Sequence, residues 1–355
     1  MDSATALMRL VAGGEKDITA YYLKIWLEDE LSYMGDCPWE EDLAYARAVC
    51  EHAGVRLEVV SLQQEYYDRV VSYALAELRA GRTPSPDIFC NQRIKFGAFL
   101  ERLGAEVDIV VSGHYARIEH RAGEVRLLRA PDPVKDQTYF LSHLSSGQLA
   151  RLEFPIGEFT KSQVRALAEE YALPNRDRPD SQGICFLGKI RYPDFVRHYL
   201  GEREGDIVER ETGIVLGKHR GFWFHTIGQR QGLGLGNGPW YVVGKNPGEN
   251  VVYVSHATHQ NEQIRREFFV EDLHWISGHS PLNTSGACQL QTKLRHGPEL
   301  QDCVLSVPPN QRPAGLLRVE LKDGDRGVAP GQFSVFYQGE QCLGAAKISA
   351  EGLEQ

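Results

Sequence analysis

No apolar stretch of this 355-residue sequence approaches the roughly 18 residues that a membrane-spanning helix needs. The first residues lack the features of a signal peptide and the Arg- and Ser-rich character of a transit segment. A hydrophobic fraction of 42% and a charged fraction of 25% are ordinary for globular proteins. Length and composition therefore predict two or three domains with well-formed cores and no membrane partner.

The seven cysteines include no C-x-x-C pair, so the sequence does not predict a zinc site. Their odd number and low density also disfavour a structural disulfide framework. Cys50 shares a helical face with Leu43, which predicts an inert core thiol. Cys90 and Cys185 differ from Cys50, because both lie among turn-forming Pro, Gly, Asn and Asp residues. Two such thiols can carry sulfur, one as a persulfide and the other as its attacker, although a lone cysteine is usually a buried, inert thiol.

The formal net charge of −9 argues at first against a nucleic-acid partner. Acidic residues are nevertheless absent from residues 214–240, where Lys218, Arg220 and Arg230 accompany a run of aromatic residues. The acidic residues are concentrated at residues 28–42 instead. A local basic, aromatic strip can bind RNA on an acidic protein, so the charge distribution leaves an RNA partner open.

Strand-like and helix-like segments alternate in the first half of the sequence, and the strands are unbroken apolar runs. This pattern predicts a parallel sheet covered by helices, whose ligands bind beyond the carboxyl ends of the strands. The predicted strands span residues 18–26, 55–62 and 107–112, and the predicted helices span residues 40–53, 63–80 and 92–103.

A capping box at residues 160–163 predicts a helix that runs to Tyr171, and a short helix is predicted at residues 192–200. From residue 205 onward, short β-branched and aromatic runs alternate with Gly, Asn and Pro turns, which predicts barrel-like or open β modules. The predicted domains are an α/β domain at 1–157, a helical connector at 158–204, a small β module at 205–262 and a β-barrel-like module at 263–355.

A series of longer runs occurs in an order that matches one known family. The runs are residues 81–91 (Gly-Arg-Thr-Pro-Ser-Pro-Asp-Ile-Phe-Cys-Asn), 94–96, 112–115 (Ser-Gly-His-Tyr), 135–141, 180–186 (Asp-Ser-Gln-Gly-Ile-Cys-Phe), 225–234, 240–243 and 330–332 (Pro-Gly-Gln). Along nearly its whole length the sequence thereby resembles the tRNA-specific 2-thiouridylases of the MnmA type. Residues 20–26 and 37–40 look most like the plant and algal organellar branch, which implies a plastid or mitochondrial location, with the cytoplasm as the alternative.

The resemblance implies an α/β PP-loop domain of the adenine-nucleotide α-hydrolase type and an ATP-dependent sulfur transfer to a tRNA uridine. It implies that Cys185 bears a persulfide and that Cys90 attacks it, which leaves a disulfide between the two. Cys90 precedes the helix predicted from residue 92 and has Arg93 and Lys95 nearby, a setting that favours a thiolate. Asp87 is the implied general acid or base, with an Asx-turn or helix N-cap as the plainer reading.

For the nucleotide, the resemblance places Asp2 and Ser3 near the phosphates of ATP, Leu23 at the adenine and Gly113 near the adenosine, with Mg²⁺ alongside. Gly113 is equally well read as a plain glycine at the end of a strand. The family opens with a buried strand and a Ser-Gly-Gly-x-Asp-Ser loop, and Met1-Asp2-Ser3 matches only the tail of that loop. We expect the strand and both glycines to lie upstream of Met1; the other reading is an inactive paralogue.

The resemblance also implies contacts with the anticodon region of tRNA, while a turn, loop or hairpin role is the plainer reading of each residue involved. The implied RNA contacts are Ser85, Pro86, His114, Lys135, Asp136, Gln137, His225, Arg230, Arg295, His296 and Gln332. The implied partners are tRNA and a persulfide donor such as a cysteine desulfurase or a relay protein, and the implied state is a monomer. Two other functions stay open, namely a catalytically dead RNA-binding paralogue and a PP-loop ligase of the argininosuccinate-synthase kind.

Overall fold

The computed structural model of the chain describes residues 1–25, 39–179, 191–259, 263–284, 286–308 and 315–353. Within these residues, no helix combines the length and the apolar character that a bilayer crossing requires. The chain forms an α/β part, two short connecting helices and two β modules, in that order along the sequence.

The α/β part contains two pairs of parallel strands. β1 (Thr19–Lys24) lies beside β2 (Arg56–Ser61), with Leu23 opposite Val60, and β3 (Val110–Val111) lies beside β6 (Leu152–Glu153). Two helical segments, α3 at residues 63–79 and α4 at residues 86–103, each contain a π-helical stretch between α-helical ends. The elements are α1 (Asp2–Ala12), β1 (Thr19–Lys24), α2 (Trp39–Ala53), β2 (Arg56–Ser61), α3 (Gln63–Tyr66, Tyr67–Val71, Ser72–Arg79), α4 (Pro86–Phe89, Cys90–Ala98, Phe99–Leu103), β3 (Val110–Val111), β4 (Ala116–Arg121), β5 (Glu124–Arg129), α5 (Thr138–Leu141), α6 (Ser146–Leu149) and β6 (Leu152–Glu153).

Two helices connect this part to the β modules. α7 (Lys161–Glu170) begins with the predicted capping box, in which Thr160 and Gln163 satisfy each other's main-chain N–H groups. α8 (Tyr192–Leu200) carries Pro in its first turn, where a missing N–H is tolerated, and buries Phe195 and Val196. Both predicted helices are therefore confirmed.

The first β module is a four-stranded sheet, and the second is a closed six-stranded antiparallel barrel. The barrel closes because β11 (Arg265–Trp275) pairs with both β14 (Leu317–Asp325) and β16 (Gln341–Ile348). The strands are β7 (Gly205–Glu209), β8 (Val215–His219), β9 (Trp240–Asn246), β10 (Val251–His256), β11 (Arg265–Trp275), β12 (Ala287–Lys293), β13 (Gln301–Ser306), β14 (Leu317–Asp325), β15 (Phe333–Gln338) and β16 (Gln341–Ile348).

The β4–β5 hairpin joins the α/β part to the barrel. β5 pairs with β16, so that Leu127 lies opposite Cys342 and the hairpin extends the sheet of the barrel. One hydrophobic core accordingly combines α3 and α4 with Phe333 and Tyr337 of the barrel. The α/β part and the barrel thus share a core.

The structure corrects two local predictions. The strand predicted at residues 107–112 is confined to Val110–Val111. The helix predicted from residue 92 begins at Pro86, so Cys90 lies inside a helix and not in a turn before it. The predicted core position of Cys50, by contrast, is confirmed, because this residue is 5% exposed in α2.

Candidate active site

The first group of predicted site residues, which we call the nucleotide end, comprises Asp2, Ser3 and Gly113. A Cβ atom added to Gly113 would lie 2.4 Å from the Ser3 nitrogen and 2.6 Å from the Asp2 carbonyl carbon, so only glycine allows this approach. Asp2 and Ser3 form the first turn of α1. The first N–H groups of a helix have no partner within it and carry partial positive charge, which suits a phosphate. The fold therefore brings these three residues together.

The Asp2 side chain is engaged by two residues that are not among the predicted site residues. Lys161 Nζ lies 2.8 Å from Asp2 Oδ1 and 2.9 Å from Oδ2. The Tyr115 hydroxyl donates to Oδ1 at 3.1 Å. Lys161 is 8% exposed whereas the Asp2 side chain is 31% exposed, so this ion pair is partly shielded from water, and it links α1 to α7.

Leu23 lies in one strand of the α/β part, and His114 closely follows another. Leu23 is in β1 and packs, partly buried, against the main hydrophobic core. His114 follows β3, with its Nδ1 2.8 Å from Ser112 Oγ and its ring against Phe96 and Phe154. Burial, together with the charge of Lys95, lowers the pKa of His114 to about 3, so its ring is neutral at physiological pH.

The second group, which we call the cysteine end, comprises Asp87 and Cys90 of α4. Pro86 occupies the first helical turn, and the Cys90 N–H donates to the carbonyls of Asp87 and Pro86. Residues three apart share a helical face, so the carboxylate and the thiol lie one turn apart on the same side. A π-helical stretch begins at Cys90, a feature that is frequent at functional sites. Cys90 itself is 1% exposed.

Aromatic side chains from several elements surround the turn before Cys90. Phe89 contacts Tyr73 edge to face at 4.4 Å, His143 at 5.5 Å and Phe333 of β15 at 5.6 Å between ring centroids. The Arg93 guanidinium lies 3.7 Å from the centroid of the Phe89 ring. The position of Phe89 therefore depends on α3, α4 and the barrel together.

Both β modules hold the loop before α4. A Cβ on Gly81 would lie 2.5 Å from Pro247 of the first module. The Thr83 N–H donates to the carbonyl of Pro330 in the barrel at 2.8 Å. A Cβ on Gly331 would lie 2.9 Å from the Thr83 carbonyl oxygen. The run at residues 330–332 thus packs against the loop that leads to Asp87 and Cys90.

Cys185 and its run at residues 180–186 lie outside the described residues, as does Cys37. The next described helix, α8, contributes Phe195 and Val196 to the hydrophobic core that contains Cys90. Tyr199 of α8 also packs against Tyr67 of α3, with ring centroids 6.2 Å apart. The helix α8 is therefore anchored in the same core as Cys90.

Comparison with known proteins matches three family models in sequence order. They are the tRNA methyl transferase HUP domain at residues 1–189, the tRNA methyl transferase PRC-barrel domain at 193–256 and the aminomethyltransferase beta-barrel domain at 265–348. A protein of Parabacteroides distasonis named tRNA-specific 2-thiouridylase MnmA is 44% identical over 353 residues, which cover 99% of this chain and 97% of the relative. The chain belongs to the tRNA-specific 2-thiouridylase family.

Other relatives in the same family give similar values. A protein of Bacteroides thetaiotaomicron named tRNA-specific 2-thiouridylase MnmA 1 is 44% identical over 351 residues, covering 98% of this chain and 97% of the relative. A Porphyromonas gingivalis protein named tRNA-specific 2-thiouridylase MnmA is 42% identical over 355 residues, covering 98% of this chain and 96% of the relative. The resemblance inferred from the sequence is thus confirmed at the level of the family.

Among the predicted RNA contacts of this 2-thiouridylase-family chain, the loop at residues 135–137 is mostly structural. Asp136 is 0% exposed, and its Oδ2 lies 2.8 Å from Lys293 Nζ and 3.0 Å from Arg129 Nε. Burial raises the pKa of Asp136, but the Lys293 charge and these hydrogen bonds outweigh it and hold the pKa below its usual value. This burial excludes direct contact between the carboxylate and RNA, which corrects the prediction for Asp136.

Both neighbours of Asp136 are partly accessible. The Gln137 side-chain carbonyl accepts the Tyr115 N–H at 2.9 Å, which fixes the loop beside β4. Lys135 is half-buried, and its N–H donates to the Asp132 carbonyl at 3.2 Å. Of the two RNA contacts predicted at the start of α4, Pro86 is buried whereas Ser85 is partly accessible, with its N–H 3.4 Å from the Tyr73 hydroxyl.

The remaining predicted contacts lie on the β modules. His225 is 7% exposed, so its ring belongs to the interior of the first module, and burial lowers its pKa to about 4. Arg230 is exposed beside a shallow pocket of about 380 Å³ that Trp240 also lines. Arg295 binds Asp325 through two hydrogen bonds of 3.0 and 2.7 Å while 59% of its side chain stays exposed.

His296 and Gln332 complete this set. The exposed His296 ring stacks on Phe140, with centroids 4.8 Å apart. Gln332 is half-buried, and its carbonyl accepts the Ile348 N–H at 2.7 Å. The predicted site residues did not include Lys161, Lys293 and Phe140. Lys161 binds Asp2 and Lys293 binds Asp136, each across more than 100 positions in the sequence. The Phe140 ring stacks on His296 of the barrel module, a contact that no local pattern predicts.

Proposed function

We propose that this chain is an ATP-dependent tRNA 2-thiouridylase that replaces the 2-oxygen of the wobble uridine with sulfur. The full-length similarity to proteins named tRNA-specific 2-thiouridylases carries this proposal. The geometry supports the residue roles, since Asp87 and Cys90 lie one turn apart in α4 and Gly113 packs against the first turn of α1. Bound ATP, with Mg²⁺, would supply the adenylyl group that makes the uridine oxygen a leaving group.

The residues of the nucleotide end fit a phosphate-binding cradle, since a side chain at Gly113 would fill the space beside Ser3. There Ser3 and the first turn of α1 would hold the phosphates. The Lys161 ammonium would hold Asp2 in place. Leu23 would contact the adenine through its main chain or its apolar side chain. A base in an anticodon loop is already partly unstacked, so its extrusion costs a few kcal/mol at most.

At the cysteine end, the terminal sulfur of a Cys185 persulfide bonds to C2 of the uracil, and the former O2 leaves as part of AMP. The Cys90 thiolate then attacks Sγ of Cys185, and the sulfur–sulfur bond breaks toward the 2-thiouracil. A Cys90–Cys185 disulfide remains, which an external dithiol reduces. In the other order, Cys90 attacks the persulfide first and the released hydrosulfide adds to C2. Asp87 moves the proton on the uracil in either order.

We further propose that a persulfide-bearing protein of the cysteine desulfurase or relay class loads Cys185, and that the protein acts as a monomer. RNA would bind across the exposed edges that carry Ser85, Lys135, Arg230, Arg295 and Gln332. The organellar location inferred from residues 20–26 stays a prediction, and an antibody or fluorescent-fusion localisation of the protein would test it.

The experiment measures pyrophosphate release and 2-thiouridine formation with tRNA, ATP and a persulfide donor. Cys90→Ser should abolish 2-thiouridine while pyrophosphate release persists. The matched control is Cys288→Ser, a partly exposed cysteine of β12, which should keep both activities. If the wild-type protein binds tRNA but releases no pyrophosphate, it is the dead paralogue. If nucleotide turnover is independent of tRNA and of both cysteines, the PP-loop ligase is supported instead.

A further inference from the structure

The turn that carries Cys90 is tied to α5 by the amide of the next residue. Asn91 is 4% exposed, and its Nδ2 donates to the Phe140 carbonyl at 3.1 Å. Its Oδ1 is buried and has no hydrogen-bond partner in the described part of the chain. The amide cannot be flipped without turning Oδ1 toward a carbonyl oxygen, so the donor side is fixed.

Asn91 also shares a helical face with the proposed catalytic residues. Asp87, Cys90 and Asn91 stand at positions i, i+3 and i+4 of α4, which places them on one side of the helix. A shift in the Asn91 side chain therefore moves the turn that presents the thiol.

The other end of this contact reaches the exposed edge of the barrel. The ring of Phe140 stacks on His296, with an interplanar angle of 21°. The start of α5 is fixed to the same barrel, because Thr138 donates to Asp136, whose carboxylate binds Lys293 of β12. Asn91 is thus two contacts away from a ring at the proposed RNA-binding edge.

We propose that Asn91 is a positioning residue for Cys90, and that the His296–Phe140 stack couples RNA contact at the barrel edge to the Cys90 turn. This inference rests on the proposed function. An unsatisfied buried acceptor is destabilising. Breaking the bond between Asn91 and the Phe140 carbonyl therefore costs less free energy than it would if both ends of the amide were bonded. When RNA contacts His296, the stacked Phe140 ring is held in place. The Phe140 carbonyl then holds the Asn91 amide, and with it Cys90, in the reactive arrangement.

The test compares two isosteric changes of amide to carboxylate at pH 8. Asn91→Asp removes the bond to Phe140. The control, Gln148→Glu, removes the amide bonds of 3.0 and 2.6 Å to the Gln92 and Phe96 carbonyls of the same helix while keeping its capping acceptor. A second variant, Asn91→Leu, removes the same hydrogen bond but fills the side-chain space without adding a charge. It replaces Asn91→Asp in the test if that variant folds poorly.

Three readouts are followed for each variant: the KM and kcat of thiolation, the thermal midpoint, and the rate at which iodoacetamide alkylates the Cys90 peptide with and without tRNA. Asn91→Asp should lower kcat about tenfold or more while KM for tRNA stays unchanged. It should also raise Cys90 alkylation about fivefold, as expected when one hydrogen bond is lost. The control should lower the thermal midpoint and leave kcat unchanged.

His296→Ala should remove most of the tRNA-dependent change in Cys90 alkylation. The positioning role is overturned if Asn91→Asp and Asn91→Leu keep the wild-type kcat, or lose it only as far as the control does. The link to the barrel edge is overturned if tRNA alters alkylation equally in His296→Ala and wild type. Because alkylation needs no turnover, the alkylation rates of Asn91→Asp and His296→Ala still decide this proposal if the wild-type protein is inactive, a result that would contradict only the proposed function.

Discussion

The nucleotide end is assembled by backbone packed on backbone, whereas the cysteine end is assembled by side chains from three parts of the chain. At the nucleotide end, the absence of a Cβ at Gly113 lets it lie against Asp2 and Ser3. At the cysteine end, Phe89 is held by residues that include Phe333 of the barrel. The nucleotide end therefore depends on a close backbone approach at one glycine and on the Lys161–Asp2 ion pair, while the cysteine end depends on how the domains dock.

This difference predicts which changes each end can tolerate. A change in the barrel should disturb the Cys90 turn and leave the contact between Gly113 and α1 intact. A change at Gly113 should have the opposite effect. Pyrophosphate release reports on the nucleotide end, and alkylation of the Cys90 peptide reports on the cysteine end, so the two can be measured separately.

The largest effect is expected for Lys293→Met. This change leaves the buried Asp136 carboxylate without its closest cation and should lower the free energy of unfolding by about 3 kcal/mol, as measured by urea denaturation. The control, Lys322→Met, breaks an exposed pair with Asp302 and should cost at most about 1 kcal/mol. Equal costs for the two variants would contradict the view that this pair joins α5 to the barrel.

Gly113→Ala should lower pyrophosphate release about 100-fold, because the new methyl group displaces the first turn of α1 by a fraction of an ångström or more. Alkylation of Cys90 should not change. Gly147→Ala is the control, since the nearest atom to its Cβ would be Ser145 Oγ at 3.9 Å. A normal rate in Gly113→Ala would show that nucleotide binding does not use this close approach.

Gly331→Ala should destabilise the protein by about 1–3 kcal/mol and raise the alkylation of Cys90. At φ +90° an alanine is strained, and its Cβ would lie 2.8 Å from the Cβ of Arg82. Gly339→Ala is the control, because Gly339 also has a positive φ of +60° but no atom lies within 4 Å of the added Cβ. It therefore measures the backbone strain without the steric clash. If both variants behave alike in urea and in alkylation, packing of the 330–332 run on the loop before α4 has no influence on Cys90.

The smallest effect is expected in how the free energy of unfolding depends on pH under mildly acidic conditions. Burial lowers the pKa of His143 from 6.5 to about 3, with His274 and Arg93 acting in the same direction. Below pH 6.5 the unfolded chain takes up a proton that the folded protein does not, so stability falls with pH by up to about 1.4 kcal/mol per unit. His143→Gln should reduce this slope between pH 6.5 and 5, as followed by urea denaturation.

His120→Gln provides the control for the acid experiment. His120 is exposed at the end of β4, away from the rings that enclose His143. Its replacement should leave the dependence of stability on pH as it is in the wild-type protein. An unchanged slope in His143→Gln would mean that His143 can be protonated without disturbing the packing around Phe89.

Periodicity and caps located most of the elements of the first 200 residues. The capping box at Thr160 is an example, because its hydrogen bonds are made between neighbours in sequence and need no other part of the fold. The start of α4 was misplaced at residue 92, since Ser-Pro-Asp reads as a turn although proline is equally suited to a first helical turn. The predicted RNA contact of Asp136 failed because its cation, Lys293, comes from a strand 157 residues away.

The amino-acid sequence by itself determined the family and the order of the α/β part and the β modules, since these follow from local patterns and runs of residues. Only the tertiary structure decided that Gly113 packs on Asp2 and Ser3, that the barrel shares a core with α4, and that Asn91 ties Cys90 to Phe140. Such contacts join residues far apart in sequence, and their geometry is set by packing, which no local pattern encodes.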